Sequence, residues 1–359
     1  MMNTAQLCSE MVKIKTENPP GDTRDCAEFA GAFLESIGIP VSYTTGPAGQ
    51  TNVYSKNQSG ALLLLGHIDV VPAIADGWEY PPYSGEIDET YVHGRGATDM
   101  KGGCAALLSA LAETQDRGLE APVSVALVCD EEGGGKWGTR HLLAEKILHP
   151  SDCLIAEPTP AHAPCIGQKG VLRYTVDFTG EPGHSSLYPQ FGTSAVMQAA
   201  DFLAWISTLH KRDYPQTPQM DAIIRHSCEV AQEIYGGDFS AVFRKVAYNP
   251  GLIEGGEREN IVAQRCRLLM DMRLPWGVPH SEMQSEIELH LPLTASLTVN
   301  LPLLPVLPWI SESSPGLANA STVTLFSWFR AMAMTTTMFC ARARLWACAL
   351  CSAIPRAAA

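Results

Sequence analysis

The sequence predicts an α/β protein: a mostly parallel sheet flanked by helices, with a smaller α+β domain inserted into it. Two observations carry this. Short apolar runs occur at Ala61 to Leu65, Val123 to Cys129 and Cys153 to Ala156, with a helical pattern from Gly102 to Asp116 between the first two. Continuous apolar strands alternating with helices indicate a sheet buried on both faces. After Gly170 the period becomes two. Leu172, Tyr174, Val176 and Phe178 alternate with Arg173, Thr175 and Asp177, which suits a sheet with one face in water.

Taken in order, Thr23 to Ile37 places Phe29, Phe33, Leu34 and Ile37 on one helical face, with Asp22 or Thr23 as cap and Gly38 as stop. The three apolar runs follow as strands. Beyond Phe178, a long helix carries Val196, Ala199, Phe202, Leu203, Ile206 and Leu209 on its apolar face. Cys266, Leu268, Met270 and Met272 then alternate with Arg265, Arg267, Asp271 and Arg273. The predicted division is a first part of the larger domain over 1–168, the inserted domain over 169–275, and a return to the larger domain over 276–359.

The chain has 359 residues, 46% of them hydrophobic, enough for two compact domains. Its formal charge of -13 argues against nucleic-acid binding, since no basic face is available to neutralise phosphates. Met1 to Lys15 has neither a signal-peptide pattern nor a run that could span a bilayer. A cytoplasmic protein with no membrane partner is expected. Eleven cysteines at irregular spacings point to reduced thiols rather than a disulfide framework. Cys348 and Cys351 form a CxxC without a second pair, a chance spacing rather than a zinc site.

Each apolar run ends in groups that can bind a cation. His67 and Asp69 follow the first, Asp130, Glu131 and Glu132 the second, and Glu157 the third. Asp99 lies in the turn Gly94-Arg95-Gly96-Ala97-Thr98-Asp99, just before the helix that opens at Gly102. Ligands of open α/β sheets sit at the carboxyl ends of the strands, so these residues should share one crevice. Carboxylates gathered there would repel one another without cations among them. Taken singly, a histidine after a strand is more often a hydrogen-bonded core residue, and an Asp in a glycine-rich turn only a turn former. Four such ends in one chain are poorly explained by accident. The turn has Asp99 where a dinucleotide fingerprint needs its third glycine, and Gly133-Gly134-Gly135-Lys136 lacks the P-loop ending.

Four ordered segments carry a resemblance: Gly66-His67-Ile68-Asp69-Val70-Val71-Pro72, Gly94 to Gly102, Asp130-Glu131-Glu132, and Ala156-Glu157-Pro158. They are similar to the signature segments of the M20 metallopeptidases, and within them to the acetylornithine deacetylase and succinyl-diaminopimelate desuccinylase group. The likeness runs over roughly residues 1 to 310. It implies a zinc-dependent exopeptidase-like fold with a ferredoxin-like lid and dimerisation domain. It also implies two zinc ions per subunit, with cobalt or manganese as substitutes. His67 and Glu157 would bind one ion, Glu132 the other, and Asp99 both. Asp69 would orient His67, and Glu131 would be the general base. In the lid, His184 of Gly183-His184-Ser185 matches a histidine that donates to the oxyanion, often across a dimer interface. Asn260 and Arg273 match positions that grip the substrate carboxylate. Taken by itself, His184 reads equally as an exposed loop histidine, and Arg273 as a residue on the wet face of its strand.

The implied activity is removal of the acyl group from an N-acyl amino acid or short peptide by a homodimer. An exopeptidase of the same family is the alternative within catalysis, and an impaired relic the alternative outside it. The relic reading rests on the family's last metal-binding histidine, for which this chain has no match after His290. Ser313 to Ala359 holds four arginines and no Asp, Glu or Lys. From about residue 311 the composition therefore predicts a reading-frame change in the gene or its record, against an unusual tail native to the protein.

Overall fold

A computed structural model describes residues 2–58, 62–74, 76–118, 123–150, 152–159, 165, 168–300 and the main chain of 342–344. The expected frame change and the Cys348/Cys351 pair lie outside the described residues. The chain divides into two compact units, Met1–Ala161 with Thr335–Ala359, and His162–Met334.

The first unit is built on five strands in the order β1-β2-β5-β3-β6. They are β1 (Val41–Thr45), β2 (Thr51–Ser55), β3 (Leu62–His67), β5 (Val123–Val128) and β6 (Asp152–Ile155). The three predicted apolar runs form β3, β5 and β6, which are parallel to one another; β1 and β2 add antiparallel at one edge. Helices α1 (Thr4–Lys13), α2 (Arg24–Ser36) and α3 (Lys101–Asp116) share one core cluster with Val53, Leu64, Val125 and Leu127. The alternate residues Tyr54, Leu63, Leu65, Ala126 and Val128 cluster instead with Leu142 of α4 (Thr139–Ala144) and with Leu148. Both faces of β3 and β5 are therefore covered, which is why these two strands read as unbroken apolar runs, whereas the edge strand β6 leaves Leu154 and Ile155 exposed. Leu107 and Leu108 of α3 are fully buried, and each such side chain contributes roughly 1.5–3 kcal/mol. Strand β4 (Tyr91–His93) pairs antiparallel with β11 (Arg342–Arg344).

Thr23 stands at the predicted cap of α2, but its hydroxyl goes to Thr51 O; Asp22 Oδ1 instead accepts from the Arg24 N–H at 3.1 Å. Gly38, at φ +82°, ends the turn after α2, a conformation that costs glycine little. Close approach explains two glycines of α3. A Cβ on Gly102 would lie 2.2 Å from Ala97 O, and one on Gly103 would lie 2.0 Å from Ala156 O.

The second unit contains β7 (Gly170–Thr179), α5 (Ala195–Leu209), α6 (Pro218–Tyr235), α7 (Ser240–Arg244), β8 (Ala247–Gly255), β9 (Arg265–Leu274), α8 (His280–His290) and β10 (Ala295–Val299). All strand pairs are antiparallel, in the order β10-β7-β9-β8. With α6 and α7 as an insertion, the order of elements is the β-α-β-β-α-β of a ferredoxin-like fold. The even-numbered residues of β7 and β9 face α5 and α8, through Phe178, Phe202, Met270, Met283 and Ile287 among others. The predicted return to the larger domain at 276 is corrected here. Met283 and Ile287 fill this unit's core, and β10 pairs with β7 from Ala295 to Val299. Without them the sheet would lose its fourth strand and one of its two covering helices.

Candidate metal centre

Strand β3 lies between β5 and β6, and their carboxyl ends are level: His67 pairs in register with Val128, and Leu65 with Ile155. The residues just past those ends therefore come together, as expected for an open α/β sheet. His67 closes β3, Glu131 and Glu132 follow β5, and Glu157 follows β6. Asp99 joins them from the turn ahead of α3. Around His67 Nε2 lie Asp99 Oδ1 at 3.1 Å, Glu157 Oε1 at 3.4 Å and Glu131 Oε2 at 3.9 Å.

The His67 ring is held from behind. Its Nδ1 lies 2.9 Å from the main-chain oxygen of Asp69 and 3.5 Å from that residue's carboxylate. Asp69 is thus in contact with the ring, and the shorter contact is to its peptide oxygen. A carbonyl can only accept, so Nδ1 carries a proton. Nε2 then points a lone pair at three carboxylates unless a second proton or a cation stands between them. Burial disfavours charge on His67, but the contacts and charges of Asp69 and Glu157 outweigh it and push the imidazole well above its ordinary value.

The carboxylates report the same demand for positive charge. Burial first, then the charges of Glu157 and Asp69, push Glu131 upward against the pull of His67. Burial, with Glu131, Asp69 and Glu157, pushes Glu132 up to about 7. Two sets of donor atoms each lie within 4.8 Å of one another: His67, Glu131 and Glu157, and His67, Asp99 and Glu132. One imidazole with several carboxylates is a donor set that suits a borderline divalent metal such as zinc. The grouping departs from the implied ligand sets in two respects. His67 belongs to both sets, and Glu131, expected only as a base, also reaches ligand distance.

The Asp69 carboxylate has another task. Its Oδ1 accepts the main-chain N–H of Glu131 and its Oδ2 that of Glu132, each at 3.0 Å. Burial pushes the Asp69 carboxyl up, but His67, Asn18 and the Glu131 N–H together hold it below the usual range. Asn18 Nδ2 donates to Asp69 Oδ2 at 2.9 Å and to Asp130 Oδ1 at 3.1 Å. The segment Asn18-Pro19-Pro20-Gly21 gives no sequence signal of this contact, because a lone Asn before prolines has no pattern beyond a turn.

The remaining expected residues lie in the second unit. His184 pairs with Ile261 as an isolated bridge, and the Ser185 N–H donates to Asn260 O at 3.1 Å, so His184 and Asn260 are neighbours. His184 is exposed, and its Nδ1 faces the Ser186 hydroxyl at 2.8 Å and the Ser186 N–H at 3.3 Å. Accepting from that N–H leaves Nε2 as the donor. Arg273 is elsewhere. Asn260 precedes the start of β9 and Arg273 nearly ends it, and the eight steps from Arg265 to Arg273 alone span roughly 26 Å along the strand. Within one chain they do not form the shared carboxylate grip that the resemblance implies. Arg273 packs its guanidinium on Asp271, with Nε 2.9 Å from Oδ1 and Nη2 3.1 Å from Oδ2.

Comparison with known proteins adds the following. The sequence model of peptidase family M20/M25/M40 matches residues 63–290. A succinyl-diaminopimelate desuccinylase of Helicobacter hepaticus is 40% identical over 136 residues, 35% of this chain and 34% of that protein. An acetylornithine deacetylase of Aliivibrio salmonicida is 30% identical over 243 residues, 67% of this chain and 58% of that protein. The chain thus spans between a third and three fifths of the length of these curated relatives. An M20 family metallo-carboxypeptidase from Sulfolobus solfataricus has the same fold, with a TM-score of 0.62 at 19% identity, over 83% of this chain and 78% of that one.

Proposed function

Because this chain belongs to peptidase family M20/M25/M40, we propose that it is a zinc-dependent hydrolase that removes the acyl group from N-acyl amino acids. The observation that carries the reading is His67 Nε2, whose lone pair faces Asp99, Glu157 and Glu131 where only a proton or a cation can balance them. His67, Asp99, Glu132 and Glu157 would hold two zinc ions. A divalent cation there supplies Lewis acidity toward the scissile carbonyl and lowers the pKa of water to about 7. Glu131 takes the proton of the attacking water and delivers it to the leaving nitrogen.

His184 supplies an Nε2–H to the carbonyl oxygen as negative charge develops there, and Arg273 binds the substrate carboxylate with its planar fork. The placement of His184 beside Ile261, ahead of the start of β9, and of Arg273 near its end supports a homodimer in which each copy lends His184 and Asn260 to the other's site. No described helix is long and apolar enough to cross a membrane. The free thiols Cys8, Cys26, Cys104, Cys129, Cys153, Cys228 and Cys266 suit a reducing cytoplasm.

The test is release of free amino groups from N-acetyl and N-succinyl amino and diamino acids, beside a dipeptide panel, with zinc content measured on the same sample. Acyl cleavage that chelator abolishes and zinc restores is the expected result. Faster dipeptide cleavage would assign an exopeptidase, and incomplete zinc binding without turnover would assign a relic.

A further inference from the structure

We propose that Asn18 is a positioning residue that sets Glu131 and Glu132 at the metal centre. The inference rests on the reading of that centre given above. Glu131 and Glu132 sit in a loop with little regular structure, and the loop is tied at two points. The Asp69 carboxylate takes the main-chain N–H of both glutamates. Asp130 takes the Trp137 N–H on its Oδ2 at 3.0 Å and closes the loop on itself. Asp130 holds φ +63° to do so, a region that Asp tolerates better than most residues.

Asn18 joins the two ties. Its single amide nitrogen gives one N–H to Asp69 and the other to Asp130. Both partners are carboxylates, so the amide orientation is dictated: the oxygen in that place would face two acceptors. Asp69 is 0% and Asp130 7% exposed, so water cannot easily replace the amide between them. Asn18 is itself anchored on the stretch that follows β3. Its N–H donates to Val70 O at 2.8 Å, Glu17 pairs with Val70, and the Thr16 hydroxyl donates to Ile68 O at 2.7 Å. Space is reserved for the contact as well. A Cβ on Gly133 would lie 2.3 Å from Asp130 Oδ1 and 2.9 Å from Asn18 Nδ2.

Removing the amide leaves two buried carboxylates facing one another without a donor between them. The loop then relaxes, and the glutamates with it. The full chain carrying Asn18→Ala, and a second variant Asn18→Ser that keeps one short donor, would be compared with the unaltered protein by three measurements. Amide hydrogen exchange should accelerate at least about tenfold in 130–137 while the rest of the first unit is unchanged. Zinc affinity, read by competition with a chelator, should fall about tenfold to a hundredfold. On the best acyl substrate, kcat should fall by a similar factor with KM within about threefold. Asp130→Asn added to Asn18→Ala should recover part of the exchange protection and of the zinc affinity, since it removes one of the opposed charges. Unchanged exchange in 130–137 overturns the proposal. So does exchange that rises everywhere, or failure of both variants to fold, because Asn18 would then support the whole unit. The exchange measurement needs neither substrate nor metal, so a protein that proves inactive overturns the reading of function and still leaves this proposal decided.

Discussion

Lys101 donates from Nζ to the main-chain oxygen of Ile14 at 2.7 Å. A second bond from the same nitrogen reaches Met11 O at 2.9 Å. Lys101 is fully buried, and burial pushes its ammonium down. It is tolerated because α1 ends at Lys13, and both acceptors are carbonyls of that helix end, where the macrodipole favours a cation. Since Lys101 opens α3 two residues after Asp99, the same contact locks the Asp99 turn against α1.

Lys101→Met should therefore destabilise the protein. The relief of a buried charge is offset by the Ile14 carbonyl, which loses this donor at about 1–3 kcal/mol for an unsatisfied group, whereas Met11 O keeps the Ile14 N–H at 3.3 Å. Urea unfolding monitored by circular dichroism would read this, and a variant as stable as the unaltered protein would refute the capping role.

Glu131→Gln should lower turnover by about a hundredfold to ten-thousandfold. Zinc content should be retained if Glu131 is a base, because His67, Asp99, Glu132 and Glu157 remain. Its placement within ligand distance of His67 and Glu157 makes the control informative. Parallel loss of zinc and activity would recast Glu131 as a ligand.

The separation of His184 from Arg273 leads to a complementation experiment. His184→Ala and Arg273→Ala homodimers should each be nearly inactive. In a mixed dimer, one site receives an intact Arg273 from its own chain and an intact His184 from the other. Random subunit exchange should then restore about a quarter of full activity. A mixture that stays as inactive as its components argues that both residues serve the same copy, or neither.

Lys169 should make the second unit's stability depend on pH. It is 5% exposed and donates to Val242 O at 2.8 Å and Lys245 O at 2.5 Å. Burial, with the Arg273 charge nearby, pushes its ammonium down to about 7, against about 10.4 in the unfolded chain. Below both values each state holds the proton and the slope is zero. Between them the unfolded state binds more protons, so stability rises with pH. The unaltered protein should gain stability relative to Lys169→Met from pH 7 to pH 9; a difference that stays flat would place Lys169 in a normal ionisation state. Comparison with the variant matters because buried thiols such as Cys129, pushed up to about 12 chiefly by burial, are shared by both proteins.

Much of the metal centre was legible in the sequence because its parts are local. Three apolar runs, each followed by an acid or histidine, name the strands and the strand ends together, and β3, β5 and β6 formed where those runs lie. The alternation in β7 and β9 named the wet and dry faces of the second sheet in the same way. What the tertiary structure decided depends on residues far apart in the chain. Asn18 meets Asp130 across 112 positions, and neither carries a periodic signal toward the other. The fourth strand of the second sheet, Ala295–Val299, alternates as β7 does but is too short to announce a partner, and only its pairing with β7 shows that the unit runs past 275. Asn260 and Arg273 match positions that the resemblance assigns to one substrate group, and only β9 lies between them. A strand carries its two ends apart at about 3.3 Å per residue, so closeness in sequence became distance in space.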